Sequence, residues 1–235
     1  MKITTVLFDL DGTLLPLDQD AFMKLYFGGL TAGLVPFGYD PKALVDAIWA
    51  GTADMVRNDG SKSNEQVFWD RFVAIFGEKS LADVPRFEAY YQTDFDNVRA
   101  ACSQAPAAKE IVKDLQARSK RVVLATNPLF PTIATEKRIV WAGLSPDDFL
   151  LYTTYENSRH CKPNPDYYRD ILREIGAEPS ECLMVGNDVD EDMIASTLGM
   201  QVFLLTDCLL NRHNLPISDY LHGGFSELAD FLREI

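Results

Sequence analysis

Two aspartates stand one residue apart near the start of the chain, in the segment VLFDLDGTLL. Asp9 and Asp11 follow a run of apolar residues, and Gly12 comes directly after them. Side chains two positions apart in a strand point to the same face, and glycine allows the backbone to turn at once. We therefore expect both carboxylates to face one cavity at the end of a buried strand.

Polar residues also follow three later apolar runs. Thr126 and Asn127 end the second run, and Lys162 lies in the loop after the third. Asp188 and Asp192 follow the fourth. Ligands of open α/β sheets bind beyond the carboxyl ends of the strands. We expect these side chains to gather with the two aspartates at a single edge of the sheet.

This set of residues is suited to phosphoryl transfer through a covalent aspartate. Clustered carboxylates repel one another, and a hard cation such as Mg²⁺, held by Asp9 and Asp188, would relieve the repulsion. Asp9 could then attack phosphorus and form an aspartyl-phosphate. Asp11 would protonate the leaving oxygen and later accept a proton from the attacking water. Lys162 and Thr126 would hold the phosphoryl oxygens during transfer.

Short apolar runs alternate with helical periodicity from Arg121 onward. Such runs are typical of strands covered on both faces, and we expect parallel strands at 3–8, 121–126, 149–154, 182–186 and 201–206. A helix should begin at the N-cap Asn164 and end at Gly176, and apolar stripes over 108–115 and 225–235 indicate two more. The alternation predicts an open α/β sheet with right-handed crossovers.

The segment from about residue 15 to residue 97 has a different texture, with several helical stretches and no convincing buried strand. In SNEQVFWDRFVAIFG, Ser63 and Gln66 have the spacing of a capping box, and Gly77 should end the helix. The apolar face of this helix is expected to carry Phe68, Phe72 and Ile75. The segment is predicted to be a helical insert between the first and second strands.

Six aromatic residues of the insert recur at helical spacing: Phe22, Tyr26, Phe27, Phe68, Trp69 and Phe72. They could line a substrate cavity, but such stripes more often form the core, which is the default expectation. Several cations of the insert could face the cleft: Lys24, Arg57, Lys62, Arg71 and Arg86. The sequence does not distinguish between them.

Four motifs, DLDGTL, ATNP, KPNPDYY and VGNDVDED, occur in this order over nearly the whole chain. Together they resemble the haloacid dehalogenase superfamily of phosphohydrolases. The resemblance implies a Rossmann-like core of residues 1–14 and 98–235, a smaller all-helical cap of residues 15–97, and Mg²⁺ as cofactor. The expected fold class is therefore α/β, an open parallel sheet with a helical cap inserted after the first motif.

The resemblance also implies roles for individual residues. It makes Asp9 the nucleophile and a metal ligand. It makes Asp11 the general acid and base, and a metal ligand through its backbone oxygen. The remaining implied roles are phosphate binding by Thr126, Asn127 and Lys162, and metal binding by Asp188.

Two positions of the last motif leave alternatives open. Asp192 matches the second acid of the family motif, which either supports the metal site or orients Lys162. Asn187 stands between the glycine and Asp188, where many members of the family have Gly-Asp directly. Asp188 alone, or Asp188 with help from Asn187, would complete the metal shell.

Composition bounds the partners and the location. The formal net charge of -13 makes nucleic acid an unsuitable partner, because an acidic protein repels the phosphate backbone. A small phosphorylated metabolite stays compatible, since a metal ion and a few cations can reverse the field inside one cleft. The four cysteines are far apart and predict reduced thiols, with Cys182 as a small core residue. No apolar stretch has the length of a signal peptide or a membrane span, so a cytoplasmic location and no membrane partner are expected; the oligomeric state has no signal in the sequence.

The leading hypothesis is Mg²⁺-dependent hydrolysis of a small phosphate monoester through an aspartyl-phosphate. A phosphomutase of the β-phosphoglucomutase type could use the same residues and would differ mainly in how the cap excludes water. A phosphonatase would need an imine-forming lysine in the insert, where the candidates are Lys24, Lys42, Lys62 and Lys79. A hypothesis from another class is a non-catalytic module that binds a phosphorylated ligand. Such a module is expected to have lost one of the chemical residues, and none is missing here.

Overall fold

A parallel sheet of six strands lies at the centre of the protein in the computed structural model, which describes residues 2–235. The strands are β1 Thr5–Phe8, β2 Arg121–Leu124, β3 Leu151–Tyr152, β4 Cys182–Gly186, β5 Gln201–Leu205 and β6 Leu221–Gly223. Their order across the sheet is β3-β2-β1-β4-β5-β6. The α/β fold with an open parallel sheet, expected from the sequence, is confirmed.

Strand β1 occupies the middle of the sheet because its side chains are buried on both faces. Val6 and Phe8 belong to the larger hydrophobic cluster, and Leu7 belongs to the cluster on the opposite face. This alternation follows from the period of two along a strand. On one side β1 pairs with β2, and on the other side it pairs with β4.

The order of connections reverses at β1. The second and third strands extend the sheet on one side, and the chain then returns to place β4 on the other side. In such sheets a crevice opens beyond the carboxyl ends of the two strands where the order reverses. Asp9 directly follows β1, and Asp188 lies two residues beyond β4, so both residues lie at this crevice.

The described residues form eight α-helices. They are α1 Gln19–Leu34, α2 Pro41–Val56, α3 Asn64–Phe76, α4 Val84–Gln92, α5 Pro106–Ala117, α6 Thr132–Trp141, α7 Pro165–Ile175 and α8 Phe225–Arg233. Short 3-10 helices lie at Val35–Phe37, Glu78–Asp83, Asp94–Ala101, Pro146–Asp148, Pro179–Glu181 and Met193–Leu198. None of the helices in residues 2–235 has both the length and the apolarity needed to cross a membrane.

The predicted helix boundaries at α3 and α7 are confirmed. Ser63 and Gln66 form the capping box of α3, and the Asn164 side chain accepts a hydrogen bond from the first turn of α7. Gly176 ends α7 at φ 60°, in the left-handed region that glycine adopts without strain. Of the three apolar residues expected on one side of α3, Phe68 and Phe72 are buried, whereas Ile75 lies in the last turn and is 45% exposed.

The sheet edges differ from the sequence-based expectation. Strand β3 has only two residues, because it pairs with β2 alone and ends one side of the sheet. Strand β6 at the other edge was not predicted, since its three residues are mostly exposed and lack an apolar run. Cys182 is fully buried in β4, as expected for a core residue, and the four cysteines are free thiols.

Between β1 and β2 the chain forms α1 to α5 and three of the 3-10 helices, with no named strand in this stretch of the described residues. Its packing is dominated by aromatic rings. Phe72 is fully buried, and its ring centroid lies 4.8 Å from that of Phe76 and 5.3 Å from that of Phe87. Such edge-to-face and tilted pairs add to the stabilisation from burial itself.

Candidate active site

Asp9 and Asp11 lie immediately beyond β1 and line one cavity of about 390 Å³. The main-chain N–H of Asp9 donates to the Val185 carbonyl of β4 at 2.9 Å, which extends the strand pairing to the edge of the cavity. Gly12 then turns the chain at φ 84°. A Cβ at Gly12 would come within 2.3 Å of the Asn187 side chain, so only glycine fits beneath it.

The structure brings seven of the eight predicted site residues to the wall of this cavity. They are Asp9, Asp11, Thr126, Asn127, Asn187, Asp188 and Asp192. Lys162 lies behind the wall, fully buried, with its Nζ 2.9 Å from Oδ1 of Asp9. The expectation that these side chains gather at one edge of the sheet therefore agrees with their positions.

Lys162 joins two of the buried carboxylates. Its Nζ lies 2.6 Å from Oδ1 of Asp192 as well as 2.9 Å from Asp9. Burial alone would lower the pKa of Lys162, but the two carboxylates outweigh it and hold the pKa well above its usual value. The ammonium group is therefore charged, and its position is fixed by two acceptors.

Asp192 is held from behind by the backbone of the last motif. Its Oδ2 accepts a hydrogen bond from the main-chain N–H of Asp188 at 2.9 Å. A Cβ at Gly186 would come within 2.1 Å of this oxygen, so glycine at the end of β4 makes room for the carboxylate. The sequence left open whether Asp192 supports the metal site or orients Lys162, and this geometry favours the orientation of Lys162.

Asn187 is committed to contacts within the protein. The Thr13 hydroxyl donates to its Oδ1 at 3.0 Å, and its Nδ2 donates to the Cys208 carbonyl at 2.7 Å. Both ends of the amide therefore already have partners, which favours a positioning role over a place among the metal ligands.

Arg212 was missed by the sequence analysis and lines the same cavity. Its Nη1 lies 2.5 Å from Oδ2 of Asp188, while Oδ1 of Asp188 accepts from the main-chain N–H groups of Asp190 and Glu191. The loop after β5 carries Arg212 and is tied to the last motif, because Val189 and Leu210 are joined by a backbone hydrogen bond. An arginine in a loop without a motif gave no signal in the sequence.

Arg138 of α6 is a second cation that the sequence analysis missed. It is 1% exposed, and its guanidinium donates to Oδ2 of Asp11. The guanidinium also lies over the Phe130 ring, 4.5 Å from the centroid. An arginine on the buried face of an amphipathic helix was the available signal, because such a side chain needs an acidic or polar partner.

Thr126 and Asn127 follow β2 and are fixed by neighbouring elements. The Thr126 carbonyl accepts from the Thr153 hydroxyl at 2.6 Å and from the Tyr167 hydroxyl at 2.9 Å. Nδ2 of Asn127 donates to Glu191 at 3.0 Å, while its Oδ1 is buried and has no hydrogen-bond partner within residues 2–235. The orphaned amide oxygen is therefore a candidate acceptor for a bound ligand or water.

Acidic side chains outnumber cationic ones at this end of the cavity. Five carboxylates line it, those of Asp9, Asp11, Asp188, Glu191 and Asp192. Three cations contact them, those of Arg138, Lys162 and Arg212, which leaves a formal excess of two negative charges. Burial raises the pKa of Asp9. It also raises the pKa of Glu191, to about 7, and the pKa of Asp192, to about 6. Incompletely compensated carboxylates in a buried site behave in this way.

The donor set at the crevice fits a hard divalent cation. Within residues 2–235 no three acidic, His or Cys side chains converge into a complete metal cage. Mg²⁺, however, usually binds one or two carboxylates and completes its shell with waters and substrate phosphate. Asp9 and Asp188, which follow the two strands that flank the crevice, supply that number of carboxylates, and the local charge excess equals the charge of one such ion.

The six aromatic residues belong to the hydrophobic core or pack against it, as expected, and the opposite wall of the cavity adds a second role for most of them. Five of the six, Phe22, Tyr26, Phe27, Phe68 and Trp69, line the cavity, and only Phe72 is pure core. Buried residues of a helical insert can do both, since a ring packs against the core with one face and borders the cavity with another. Helical spacing alone does not separate the two roles.

None of the five candidate cations of the insert lines the cavity. Four of them form ion pairs elsewhere: Arg57 and Arg71 with Asp54, Lys62 with Asp70, and Arg86 with Asp83. The cations that contact the carboxylates of the cavity come instead from the segments after β2, β3 and β5. This difference arises because long charged side chains on helices remain at the solvent face unless a buried partner holds them.

The chain is similar in sequence and in fold to hydrolases of one family. The family model of the haloacid dehalogenase-like hydrolases matches residues 3–196. Among curated proteins, pyrophosphatase PpaX of Bacillus cereus (strain AH820) is 24% identical, covering 100% of this chain and 99% of the relative. Ribulose-1,5-bisphosphate 5-phosphatase of Halopiger xanaduensis is 27% identical, covering 86% of this chain and 84% of the relative.

The fold is also that of solved members of this family. The crystal structure of a HAD phosphatase from Thermococcus onnurineus superposes with a TM-score of 0.59 at 18% identity. The match covers 99% of this chain and 98% of that protein. At this level of identity the likeness concerns the arrangement of the chain.

Proposed function

The chain belongs to the haloacid dehalogenase-like hydrolases, and on that premise we propose that it hydrolyses phosphate monoesters of small molecules through an aspartyl-phosphate. The observation that carries the proposal is the position of Asp9 and Asp11 on one cavity, with Lys162 held 2.9 Å from the Asp9 carboxylate. The similar curated proteins, a pyrophosphatase and a bisphosphate phosphatase, support phosphate release as the type of reaction.

In the proposed reaction Asp9 attacks the phosphorus of the ester. A bond forms between its carboxylate oxygen and phosphorus while the bond from phosphorus to the ester oxygen breaks. Asp11 donates a proton to the departing oxygen and so releases a neutral alcohol. Water then attacks the aspartyl-phosphate, gives its proton to Asp11, and inorganic phosphate leaves with Asp9 restored.

Other residues hold the phosphoryl group or the reacting side chains. Lys162 and the Thr126 hydroxyl balance the charge of the phosphoryl oxygens as it shifts during transfer, and Asn127 contributes its amide. Asp192 keeps Lys162 in place at 2.6 Å, and Asn187 packs over the turn at Gly12. These side chains are anchored before substrate arrives, so little reorganisation is needed in the transition state.

We further propose Mg²⁺ as the cofactor. Asp9, Asp188 and the main-chain oxygen of Asp11 would hold it, since their oxygens are the ligands that this ion prefers. When bound, the ion supplies charge screening between the attacking carboxylate and the phosphoryl oxygens. The helical segment of residues 15–97 is proposed to act as a cap over a core of residues 1–14 and 98–235, because its helices supply the wall opposite Asp9.

The experiment compares phosphate release by the protein and by Asp9→Asn in the presence of Mg²⁺. Asp9→Asn should abolish release, and acid-quenched wild-type protein should carry a phosphoryl adduct that the variant lacks. Asp219→Asn, an exposed aspartate on a loop, is the matched control and should behave as the unaltered protein. Phosphate release that survives Asp9→Asn would refute the covalent route. Isomerisation of a sugar phosphate without release of phosphate would establish the phosphomutase instead.

A further inference from the structure

The cavity has one charged end and one apolar end. Beyond the carboxylates its wall is formed by α1 to α4 and by residues 127–133, and most of the side chains there are apolar or aromatic. Prominent aromatic members are Phe22, Trp49, Trp69, Phe87, Tyr91 and Phe130. A volume of about 390 Å³ is sufficient for a small ligand and lies in the usual range for such sites.

The tyrosine hydroxyls of this wall are already paired. The lining tyrosines of the helices are Tyr26 and Tyr91, and their hydroxyls lie 2.9 Å apart, within hydrogen-bond distance of each other. Away from the carboxylate end, the further lining side chains with a hydroxyl or amide group are Gln19, Thr52 and Tyr155. A substrate rich in hydroxyl groups, such as a sugar phosphate, would therefore leave most of its polar groups without partners here. The wall is therefore suited to an apolar body.

The charges of the wall disfavour a second anionic group on the substrate. Among residues 15–97, Glu88 is the one charged side chain that lines the cavity. It is exposed to solvent. Arg212 is the cation that lines the cavity, and it is paired with Asp188 at the phosphate end. A carboxylate or second phosphate in the apolar part would lose its hydration and face Glu88 without a free cation.

We propose that the substrate is a phosphate monoester whose alcohol part is aromatic or otherwise apolar and carries no second anionic group. The inference rests on the proposed hydrolysis at Asp9 and specifies the substrate class of that same site. The phosphate lies at the carboxylate end, and the alcohol part extends between the helices that carry Trp49 and Trp69. Burial of a body the size of a benzyl group corresponds to roughly a 10- to 100-fold gain in kcat/KM.

The test uses three esters of primary alcohols, so that the leaving groups are chemically similar. These are benzyl phosphate, 4-carboxybenzyl phosphate and glycerol 3-phosphate. We expect kcat/KM for benzyl phosphate to exceed that for glycerol 3-phosphate by roughly 10-fold or more. The added carboxylate should lower kcat/KM by about 10-fold relative to benzyl phosphate, because a charged group would have to lose its hydration in the apolar part of the cavity.

Two variants connect these differences to the wall. Trp49→Ala should raise KM for benzyl phosphate roughly 3- to 10-fold and raise KM for glycerol 3-phosphate less. Trp49 is 50% exposed, so its removal should not unfold the protein, and Leu150→Ala, 58% exposed and outside the lining, is the control. Glu88→Lys should reduce the difference in kcat/KM between benzyl phosphate and 4-carboxybenzyl phosphate several-fold. Glu110→Lys changes an exposed acid outside the lining and should leave this difference as it is.

The outcomes separate this inference from the proposed function. If none of the esters releases phosphate, hydrolysis itself fails and the substrate class falls with it. If phosphate is released but glycerol 3-phosphate or the carboxylated ester is as good a substrate as benzyl phosphate, the substrate class is overturned while hydrolysis stands. Insensitivity of the benzyl phosphate KM to Trp49→Ala would likewise overturn it.

Discussion

Arg138 and Asp11 form an ion pair across 127 positions of sequence. The guanidinium donates to Oδ2 of Asp11, while Oδ1 of the same carboxylate is buried without a hydrogen-bond partner in residues 2–235. Arg138 is itself fixed by the Ala134 carbonyl and the Thr135 hydroxyl, each at 3.2 Å. The orientation of Asp11 is therefore set by helix α6 and not only by the strand that precedes it.

Arg138→Met should reduce kcat with little change in KM. Without the guanidinium, Asp11 loses its orienting partner, and poor alignment of a general acid costs about 10-fold or more in rate. Asp11 is 28% exposed, so the loss in free energy of unfolding should be only about 2 kcal/mol, less than for a fully buried pair. Steady-state kinetics and urea unfolding measure the two effects.

Arg138→Lys should recover part of the rate, since it keeps the charge but not the planar fork. Arg169→Met removes an exposed arginine from α7 and should change neither quantity. A normal kcat for Arg138→Met would show that Asp11 does not depend on the pair.

Asp11→Asn should lower kcat by roughly 10² to 10⁴, as expected for the loss of a general acid. The loss in kcat/KM, which includes only the steps up to formation of the aspartyl-phosphate, should be smaller for p-nitrophenyl phosphate than for an alkyl phosphate, because nitrophenolate leaves without protonation. Parallel kinetics with both esters provide the measurement. Equal losses for the two esters would contradict the role of Asp11 as the acid.

Lys162→Met should destabilise the protein as well as inactivate it. Two buried carboxylates, Asp9 and Asp192, would lose their shared cation, which costs about 3–5 kcal/mol of unfolding free energy. The double variant Lys162→Met, Asp192→Asn should recover part of this stability, because one of the two uncompensated charges is removed. It should not recover activity, since the ammonium group that balances the charge of the phosphoryl oxygens is still missing.

Denaturant unfolding and phosphate release on the same samples separate these two effects of Lys162. The single change Asp192→Asn is the control, and it should keep Lys162 paired with Asp9 and retain part of the activity. A double variant no more stable than Lys162→Met would argue against an electrostatic origin of the loss.

Asp148 should contribute a pH-dependent part of the stability. Burial would raise the pKa of its carboxyl, but hydrogen bonds from Lys113 and from the main-chain N–H of Ser145 outweigh burial and hold the pKa below 3.8. Because the folded pKa is depressed, this contribution is complete above the unfolded pKa of about 3.9 and is lost as pH falls below it.

Asp148→Asn should therefore lower the free energy of unfolding by about 1–2 kcal/mol at pH 7. The difference from the unaltered protein should shrink as pH falls below about 4. Unfolding in urea from pH 3 to pH 7 checks this, with the exposed neighbour Asp147→Asn as control. If the difference in unfolding free energy did not change with pH, the charge of the Asp148 carboxylate would not be its cause.

Local patterns predicted much of the fold because they depend on neighbouring residues. The capping box at Ser63 and Gln66 and the stop at Gly176 appear where they were expected. Elements with weak local signals were missed or shortened, as with β6 at the sheet edge, whose three residues include an exposed Leu221. Strand β6 forms because β5 has an open edge with which it can pair. The sequence of β6 carries no signal for that partner.

The sequence by itself determined the alternation of strands and helices and, since parallel strands end at a common edge, the convergence of Asp9, Thr126 and Asp188 there. Only the tertiary structure decided what closes around them. Arg138 and Arg212 meet their carboxylates through the packing of distant segments, at separations of 127 and 24 positions. The apolar residues of the insert have the same helical spacing whether they pack in the core or line a cavity. Periodicity indicates which face of a helix is buried, but it does not indicate what lies against that face.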